Sequence, residues 1–341
     1  MKRTAGILLK TVLPLALGVY LIWYFFTSME PEVEAAFYKA LREANYFWVF
    51  LSLLLSFFAL LSRAYRWKYL LEPMGYKTSL WNRYHAIMIG YIVNLTIPRA
   101  GEASRAAMLY RSDGVPFSKS FGTILAERVF DLIMLFSVAL LASIVGAGDF
   151  WKIKGLIEAR FSGNPDSAST FQLIKWIILA LVAAAFGMVL LIKSIRLKVI
   201  GFITGLFSGA LSVFKTKNPV GFIGHTLFIW ILYVVYFAIC FFALEETSNV
   251  PATGMLIAFL AGSLGITLTN GGIGVFPLVV GLVIEYYLKD QYGTQAWGIG
   301  CALGTIIWAS QTLLIIVLGM LSFFLLPKNY SKDGKVRTGQ A

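Results

Sequence analysis

The sequence predicts an all-α integral membrane protein with about six full transmembrane helices and two re-entrant helical hairpins. Of its 341 residues, 58% are hydrophobic and 13% are charged, whereas a soluble domain has roughly 25% charged residues. The apolar runs are long and lack the alternation of strands, which favours helices over a β-barrel. The net charge of +12 is typical of cytoplasmic loops that face anionic lipid, so no nucleic-acid partner is expected.

Six apolar runs are predicted to cross the bilayer, which takes about 20 apolar residues. They are 5–26, 45–62, 121–147, 171–193, 221–244 and 297–326. Basic residues place three parts of the chain in the cytoplasm: the N-terminus, the loop after residue 62 and the tail 327–341. We expect one polytopic domain over residues 1–341, with a first half of about 5–147, a second half of about 171–326 and both termini cytoplasmic.

The run 84–97 is too short to be a full span, because 14 residues of helix reach only about 21 Å of the ~30 Å hydrocarbon core. The basic residues that follow would lie outside if this run crossed the membrane. The sequence therefore predicts a re-entrant hairpin over 84–111 that enters from the cytoplasm. Its break is expected around Asn94, Pro98 and Gly101, since proline disfavours helix in the residue before it.

A second re-entrant hairpin is predicted over 252–288, entering from the opposite face. Its break is the segment TNGGIG, with Asn270 followed by Gly271, Gly272 and Gly274, because glycine adopts backbone conformations closed to other residues. Two ordinary spans over 252–288 would give the same sidedness, and this alternative stays open. With the first hairpin, the arrangement is an inverted-topology repeat of the kind found in transporters.

The first candidate cluster of charges follows the first break. Arg99, Glu102 and Arg105 are three residues apart and share one helix face. The planar fork of arginine matches the oxygen atoms of phosphate. The alternative is that Arg99 and Arg105 mark only the cytoplasmic end of a helix.

The second cluster lies within the span 121–147. Glu127, Arg128 and Asp131 are about 9–15 Å along the helix axis from its start, too deep for all three to reach the surface easily. Their net negative charge is expected to be balanced by arginine from the first cluster, so we predict a salt bridge between Glu127 or Asp131 and Arg99 or Arg105. The alternative is a purely structural salt-bridge network.

Little else in the sequence indicates chemistry. Two histidines, His85 and His225, are too few for a zinc site, and Cys240 and Cys301 lie in apolar runs, as packing residues do. There is no ATP-binding sequence, and neither a metal nor a cofactor is predicted.

Three motifs together resemble the lysylphosphatidylglycerol synthase transmembrane family: N-x-x-x-P-R-x-G-E-x-x-R at 94–105, E-R-x-x-D at 127–131 and G-G-I-G at 271–274. The resemblance implies a flippase-like protein of the bacterial inner membrane that translocates or handles an amphipathic lipid, without the soluble aminoacyl-transferase domain. Arg99, Arg105 and Arg128 would then bind the phosphate of the head group. Glu102, Glu127 and Asp131 would orient those arginines or receive a cationic head group.

The expected partner is thus a membrane lipid, and a second copy of the chain or a separate synthase stays open as a further partner. Two other functions also stay open. One is a membrane-embedded enzyme that modifies a lipid or polyprenyl substrate, and the other is a non-transporting membrane partner of a lipid or envelope synthase.

Overall fold

The computed structural model describes residues 2–97, 100–149, 151–153 and 218–327, with short pieces between 155 and 216, and side chains from residue 15 onward. Pro98, Arg99 and most of the predicted span 171–193 lie outside the described residues.

Every regular element in this described part is helical. Ten helices are named here in chain order, and short 3₁₀ turns follow α3, α7 and α8. The helices are α1 (Lys2–Thr27), α2 (Pro31–Glu43), α3 (Tyr46–Leu71), α4 (Leu80–Thr96), α5 (Gly101–Asp113), α6 (Phe117–Val145), α7 (Pro219–Ile239), α8 (Ala252–Leu268), α9 (Val275–Tyr292) and α10 (Gln295–Leu325).

Four helical segments of the described chain are long and apolar enough to cross a membrane: Tyr46–Met74, Phe117–Val145, Pro219–Ala243 and Gln295–Leu325. Leu15–Thr27 and α8 are shorter apolar helices. The all-α membrane class is therefore confirmed, and the number of six full spans stays a prediction.

The outer face of α6 has the composition of a helix in contact with lipid. Phe136, Leu140 and Ile144 follow one another at four-residue spacing, and their exposed fractions are 66%, 63% and 70%. Residues at this spacing share one face of a helix. A stripe of large apolar side chains this exposed would be costly in water, so it indicates contact with hydrocarbon.

The helix α2 follows the first predicted span and is amphipathic. Val33, Ala36, Phe37 and Ala40 are buried, which is the i, i+3, i+4, i+7 pattern of one helix face, and α2 packs against α10. The carboxylate of Glu32 accepts hydrogen bonds from the side chains of Thr294 and Gln295, both at 2.9 Å.

The prediction of a cytoplasmic loop directly after residue 62 is wrong. Helix α3 continues to Leu71, and Arg63 and Arg66 within it are buried. Arg83 is also buried, inside α4, where it donates to the carbonyl oxygens of Ala64 and Thr78. These arginines are structural parts of the helix packing, because each finds acceptors that a solvated loop would not supply.

Helix α10 contacts α9 along its first half and α4 along its second half. Gly300 packs closely against Gly281 of α9, and Ser322 is hydrogen-bonded to His85 of α4 at 2.9 Å. Gly300 and Ser322 are 22 residues apart, which is about 33 Å along a helix axis. Two shorter helices therefore cover successive halves of one long helix.

The two helix breaks meet beside the middle of α10. Trp308 donates from Nε1 to the carbonyl oxygen of Gly271 at 2.8 Å. Gly271 has φ of +63°, and a Cβ atom added there would lie 2.6 Å from Cδ2 of Leu95, at the end of α4. The helices thus end where the sequence predicts breaks. That each helix pair enters and leaves the membrane on one side stays a prediction.

Candidate functional site

Two of the predicted break residues fix the start of α5 against α4. The side chain of Asn94 accepts a hydrogen bond from the backbone N–H of Gly101 at 2.7 Å. A Cβ atom at Gly101 would overlap the carbonyl oxygen of Gly90, so glycine is required for the two backbones to approach. This contact sets the position of Glu102 and Arg105 on the next turn of α5.

The predicted contact between the two charged clusters is confirmed. Arg105 Nη1 lies 2.6 Å from Glu127 Oε2, and Arg66 Nε lies 3.8 Å from Glu127 Oε1. The side chains of Glu127 and Arg66 have no exposed surface. A carboxylate buried this completely needs cationic partners, because an unpaired buried charge is strongly destabilising.

Asp131 joins three arginines from two helices. It accepts hydrogen bonds from Nη2 of Arg63 at 2.5 Å and of Arg66 at 3.1 Å, and Arg128 Nη1 lies 3.6 Å away. It therefore links α3 to α6 at the depth of the second cluster.

Helix α7 supplies neutral acceptors to the same arginines. Arg66 donates to Thr226 Oγ1 at 3.0 Å, and Arg63 donates to Tyr233 Oη at 3.3 Å. The guanidinium of Arg66 also lies 5.2 Å from the ring centroid of Phe222, within the range of a cation–π contact. The network thus ties together α3, α5, α6 and α7.

Arg105 is held from a second side by an aromatic ring. Its guanidinium carbon lies 3.7 Å from the ring centroid of Trp67, and Trp67 donates from Nε1 to Thr123 Oγ1 at 2.8 Å. Arg105 Nε and Nη2 are buried and have no hydrogen-bond partner within the described part of the chain. Part of its hydrogen-bonding capacity is therefore free for a ligand or water.

The open end of the network is the pair between Arg128 and Glu102. Arg128 Nη2 lies 2.7 Å from Glu102 Oε1, and the two side chains are 40% and 21% exposed. Beside this pair is a pocket lined by Arg63, Ile87, Gly90, Tyr91, Asn94, Gly101, Glu102, Arg105, Ile124 and Arg128. The pocket gives about 20 Å³ of space to a water-sized sphere, which is room for about one water molecule.

The described network carries an excess of one positive charge. Its ion pairs connect four arginines (Arg63, Arg66, Arg105 and Arg128) with three carboxylates (Glu102, Glu127 and Asp131). Arg105 of the first cluster pairs with Glu127 as expected, and Arg63 and Arg66 of α3 add two cations that were not expected. Arg99 is the one predicted head-group residue that lies outside the described residues.

Arg63 and Arg66 are the site residues that sequence reasoning missed, although a signal was present. The buried positions of α3 follow steps of four and three residues, which is the spacing of a helix seam. Small, polar and charged residues share this seam with Leu70: Ser52, Ser56, Ala59, Arg63 and Arg66. Arginines on the face of a helix that is otherwise packed are expected to point inward.

The glycines of the second break pack closely against neighbouring helices. Asn270 is buried, and Gly272 and Gly274 have φ of +81° and +73°. A Cβ atom at Gly274 would lie 2.5 Å from the carbonyl oxygen of Gly18 in α1, so the glycine allows α1 to pack on the break. The predicted break residues therefore serve close packing here.

Comparison with known proteins gives one family. The family described as the lysylphosphatidylglycerol synthase TM region matches residues 11–318. The UPF0104 membrane protein MJ1595 of Methanocaldococcus jannaschii is 27% identical over 115 residues, 32% of this chain and 34% of that protein. The glycosyltransferase AglD of Haloferax volcanii is 24% identical over 247 residues, 63% of this chain and 39% of that protein.

The chain thus spans less than half the length of these curated relatives. No solved structure matches it.

Proposed function

Because the chain belongs to the lysylphosphatidylglycerol synthase TM region family, we propose that it translocates an amphipathic phospholipid or lipid-linked head group across the bacterial inner membrane. The head-group phosphate would bind Arg128 first, and then the more deeply buried Arg105, and the resemblance to the family makes Arg99 a third candidate ligand. Glu102, Glu127 and Asp131 would hold the arginines in place. Membership of this transmembrane family supports the membrane location. The translocation of lipid is the proposed part.

The observation that carries this proposal is the excess positive charge of a largely buried network. Arg128 is 11 residues from the start of α6, about 17 Å along its axis. Uncompensated charge at such depth is costly and marks substrate sites in membrane proteins. A phosphate diester brings one negative charge and oxygen atoms that fit the guanidinium fork.

We also propose that the helix pairs α4–α5 and α8–α9 are re-entrant hairpins that meet near mid-membrane. The contacts of α10 with α9 and then α4 support this arrangement, as does the approach of Leu95 to Gly271. Broken helices that meet in this way are how inverted-repeat transporters place a site at the bilayer midplane. In this arrangement both termini are cytoplasmic.

The sidedness of the first hairpin can be tested with a cysteine at Ser118, which is exposed at the start of α6. A membrane-impermeant thiol reagent should label Ser118→Cys only after cell lysis. The two native cysteines are buried and give a low background, and Ser112→Cys is a control because Ser112 is buried in the fold. Labelling of Ser118→Cys in intact cells would contradict the hairpin.

Transport is tested by lipid scrambling in liposomes, measured per correctly folded molecule. Lysine keeps the charge of arginine and loses the bidentate fork, so Arg128→Lys and Arg99→Lys should lower the rate roughly tenfold, the effect of losing about 1.4 kcal/mol of binding. Arg111→Lys, in the last turn of α5, is the matched control and should keep the wild-type rate. Wild-type rates for both test variants would refute phosphate binding by these side chains.

A second candidate function follows from the similarity to AglD, which covers 63% of this chain. In that case the chain is the membrane region of a lipid-modifying enzyme, or a membrane partner of one. Incubation with a polyprenyl phosphate and a nucleotide sugar would then yield a glycosylated lipid, alone or with an added synthase. Scrambling without any such product favours the first proposal, since each carboxylate of the network is already paired with arginine.

A further inference from the structure

The carboxylate of Glu102 is held at one oxygen only. Its Oε1 lies 2.7 Å from Arg128 Nη2, and its Oε2 is buried with no hydrogen-bond partner among the described residues. A buried, charged oxygen left unpaired is unfavourable. Both oxygen atoms of Glu127 are in ion pairs with arginine, whereas Glu102, at the open end of the network, is paired through Oε1 alone.

Glu102 also lies where anions bind to helices. It is the second residue of α5, a helix of 13 residues that starts at Gly101 and has no side-chain cap at Ala100. The first amide groups of a helix have no acceptor within it, and its N-terminus favours negative charge. Through its contact with the Glu102 carboxylate, the Arg128 guanidinium lies beside the first turn of α5.

We propose that Glu102 is a competing internal anion, displaced from Arg128 by the phosphate of the lipid head group. This inference rests on the proposed function, since it takes Arg128 as the residue that receives the phosphate. The pocket beside the pair holds about one water molecule, so a phosphate cannot enter while the Glu102 carboxylate is in place. Arg128 keeps Asp131 on its other side, at 3.6 Å, throughout the exchange.

The exchange accounts for release as well as binding. Transport requires that a site bind its substrate and then let it go. The Glu102 carboxylate stays attached to α5 beside the phosphate site, so it returns to Arg128 when the lipid leaves, and Arg128 does not stay unpaired in the membrane. Glu102 thus sets how tightly the head group is held.

The test is equilibrium binding to the full-length protein in dodecyl maltoside micelles, a measurement that involves no transport. Two probes are titrated separately, dioctanoyl phosphatidylglycerol and inorganic phosphate. Glu102→Gln removes the competing charge, so we expect a dissociation constant roughly tenfold lower than that of the wild type. Glu43→Gln, which removes an exposed carboxylate of α2 paired with Lys39, should leave the constant unchanged.

If Glu102→Gln binds both probes more tightly, the exchange is supported and the site recognises phosphate itself. If it binds only the lipid more tightly, the exchange is supported and the site recognises the lipid head group. Unchanged or weaker binding of both probes by a folded Glu102→Gln variant overturns it. Glu102→Asp, whose side chain is one methylene shorter, should tighten binding in the same direction by a smaller factor. If neither variant folds, Glu102 is a structural brace and the proposal is wrong.

Failure of this inference and failure of the proposed function are distinguishable. Wild-type scrambling by Arg128→Lys rejects phosphate binding at Arg128, whatever Glu102 does. Impaired scrambling by Arg128→Lys with unchanged binding by Glu102→Gln keeps the function and rejects only the competition.

Discussion

Replacing Asp131 by asparagine tests the energetic weight of the ion network. Asp131 accepts hydrogen bonds from Arg63 and Arg66, whose side chains are 4% and 0% exposed. The variant keeps the volume and removes the charge, so two buried guanidinium groups lose their shared anion. Removing one partner of a buried pair costs about 3–5 kcal/mol, because the remaining charge is uncompensated. We expect a loss of unfolding free energy in this range.

The matched comparison is the exposed pair of Lys39 and Glu43, with both side chains 64% exposed. Glu43→Gln should cost only about 0.3–0.5 kcal/mol, as for other i, i+4 pairs on helix surfaces. Unfolding is followed by tryptophan fluorescence in dodecyl maltoside micelles with increasing dodecyl sulfate.

A second change should restore part of the stability. Arg63→Gln in the Asp131→Asn background removes one of the uncompensated cations, so the double variant should be more stable than the sum of the single effects predicts. A loss below about 1 kcal/mol for Asp131→Asn, near the threshold of a surface pair, would refute the view that the network is buried and coupled. If the effects of Asp131→Asn and Arg63→Gln on the free energy of unfolding are strictly additive, the two side chains do not interact and the contact between them is refuted.

Two further predictions concern packing and pH. Gly101→Ala should lower the free energy of unfolding by about 1–3 kcal/mol, because its Cβ would overlap the backbone of α4. The control is Gly122→Ala, where a Cβ atom has nothing within 4 Å, and it should be neutral or stabilise α6 by up to about 1 kcal/mol. Both variants are compared with the wild type by thermal unfolding. Hydrogen bonds from Gln295 and Thr294 lower the pKa of Glu32 below its usual 4.5, so its contribution to stability is fully present above pH 4.5 and is lost as the pH falls through the lowered value. The unfolding temperature of Glu32→Gln should therefore change less than that of the wild type between pH 6 and pH 3, and equal slopes would contradict the assignment.

The sequence predicted the helix breaks because their causes are local. Proline disfavours helix in the residue before it, and α4 ends at Thr96. Glycines that adopt positive φ interrupt the chain between α8 and α9. The helix α2 was missed because hydropathy detects long apolar runs, whereas α2 buries only one face.

The composition of the ion network could be predicted only in part. A link from Glu127 or Asp131 to Arg99 or Arg105 was expected because the second cluster lies deep in its span and carries a net negative charge. Arg63 and Arg66 were assigned to a loop because counts of positive charge treat every arginine after a span as solvated. Their burial depends on Asp131, which lies 65–68 residues further along the chain, and no local pattern contains that pairing.

The same separation has a consequence for biogenesis. Helix α3 emerges from the ribosome well before Asp131, and at 5–20 residues per second the delay is roughly 3–14 s. During this interval Arg63 and Arg66 lack their carboxylate, and their positions near the end of α3 allow the long side chains to reach the interface. Final seating of α3 in the bilayer is therefore coupled to the synthesis of α6.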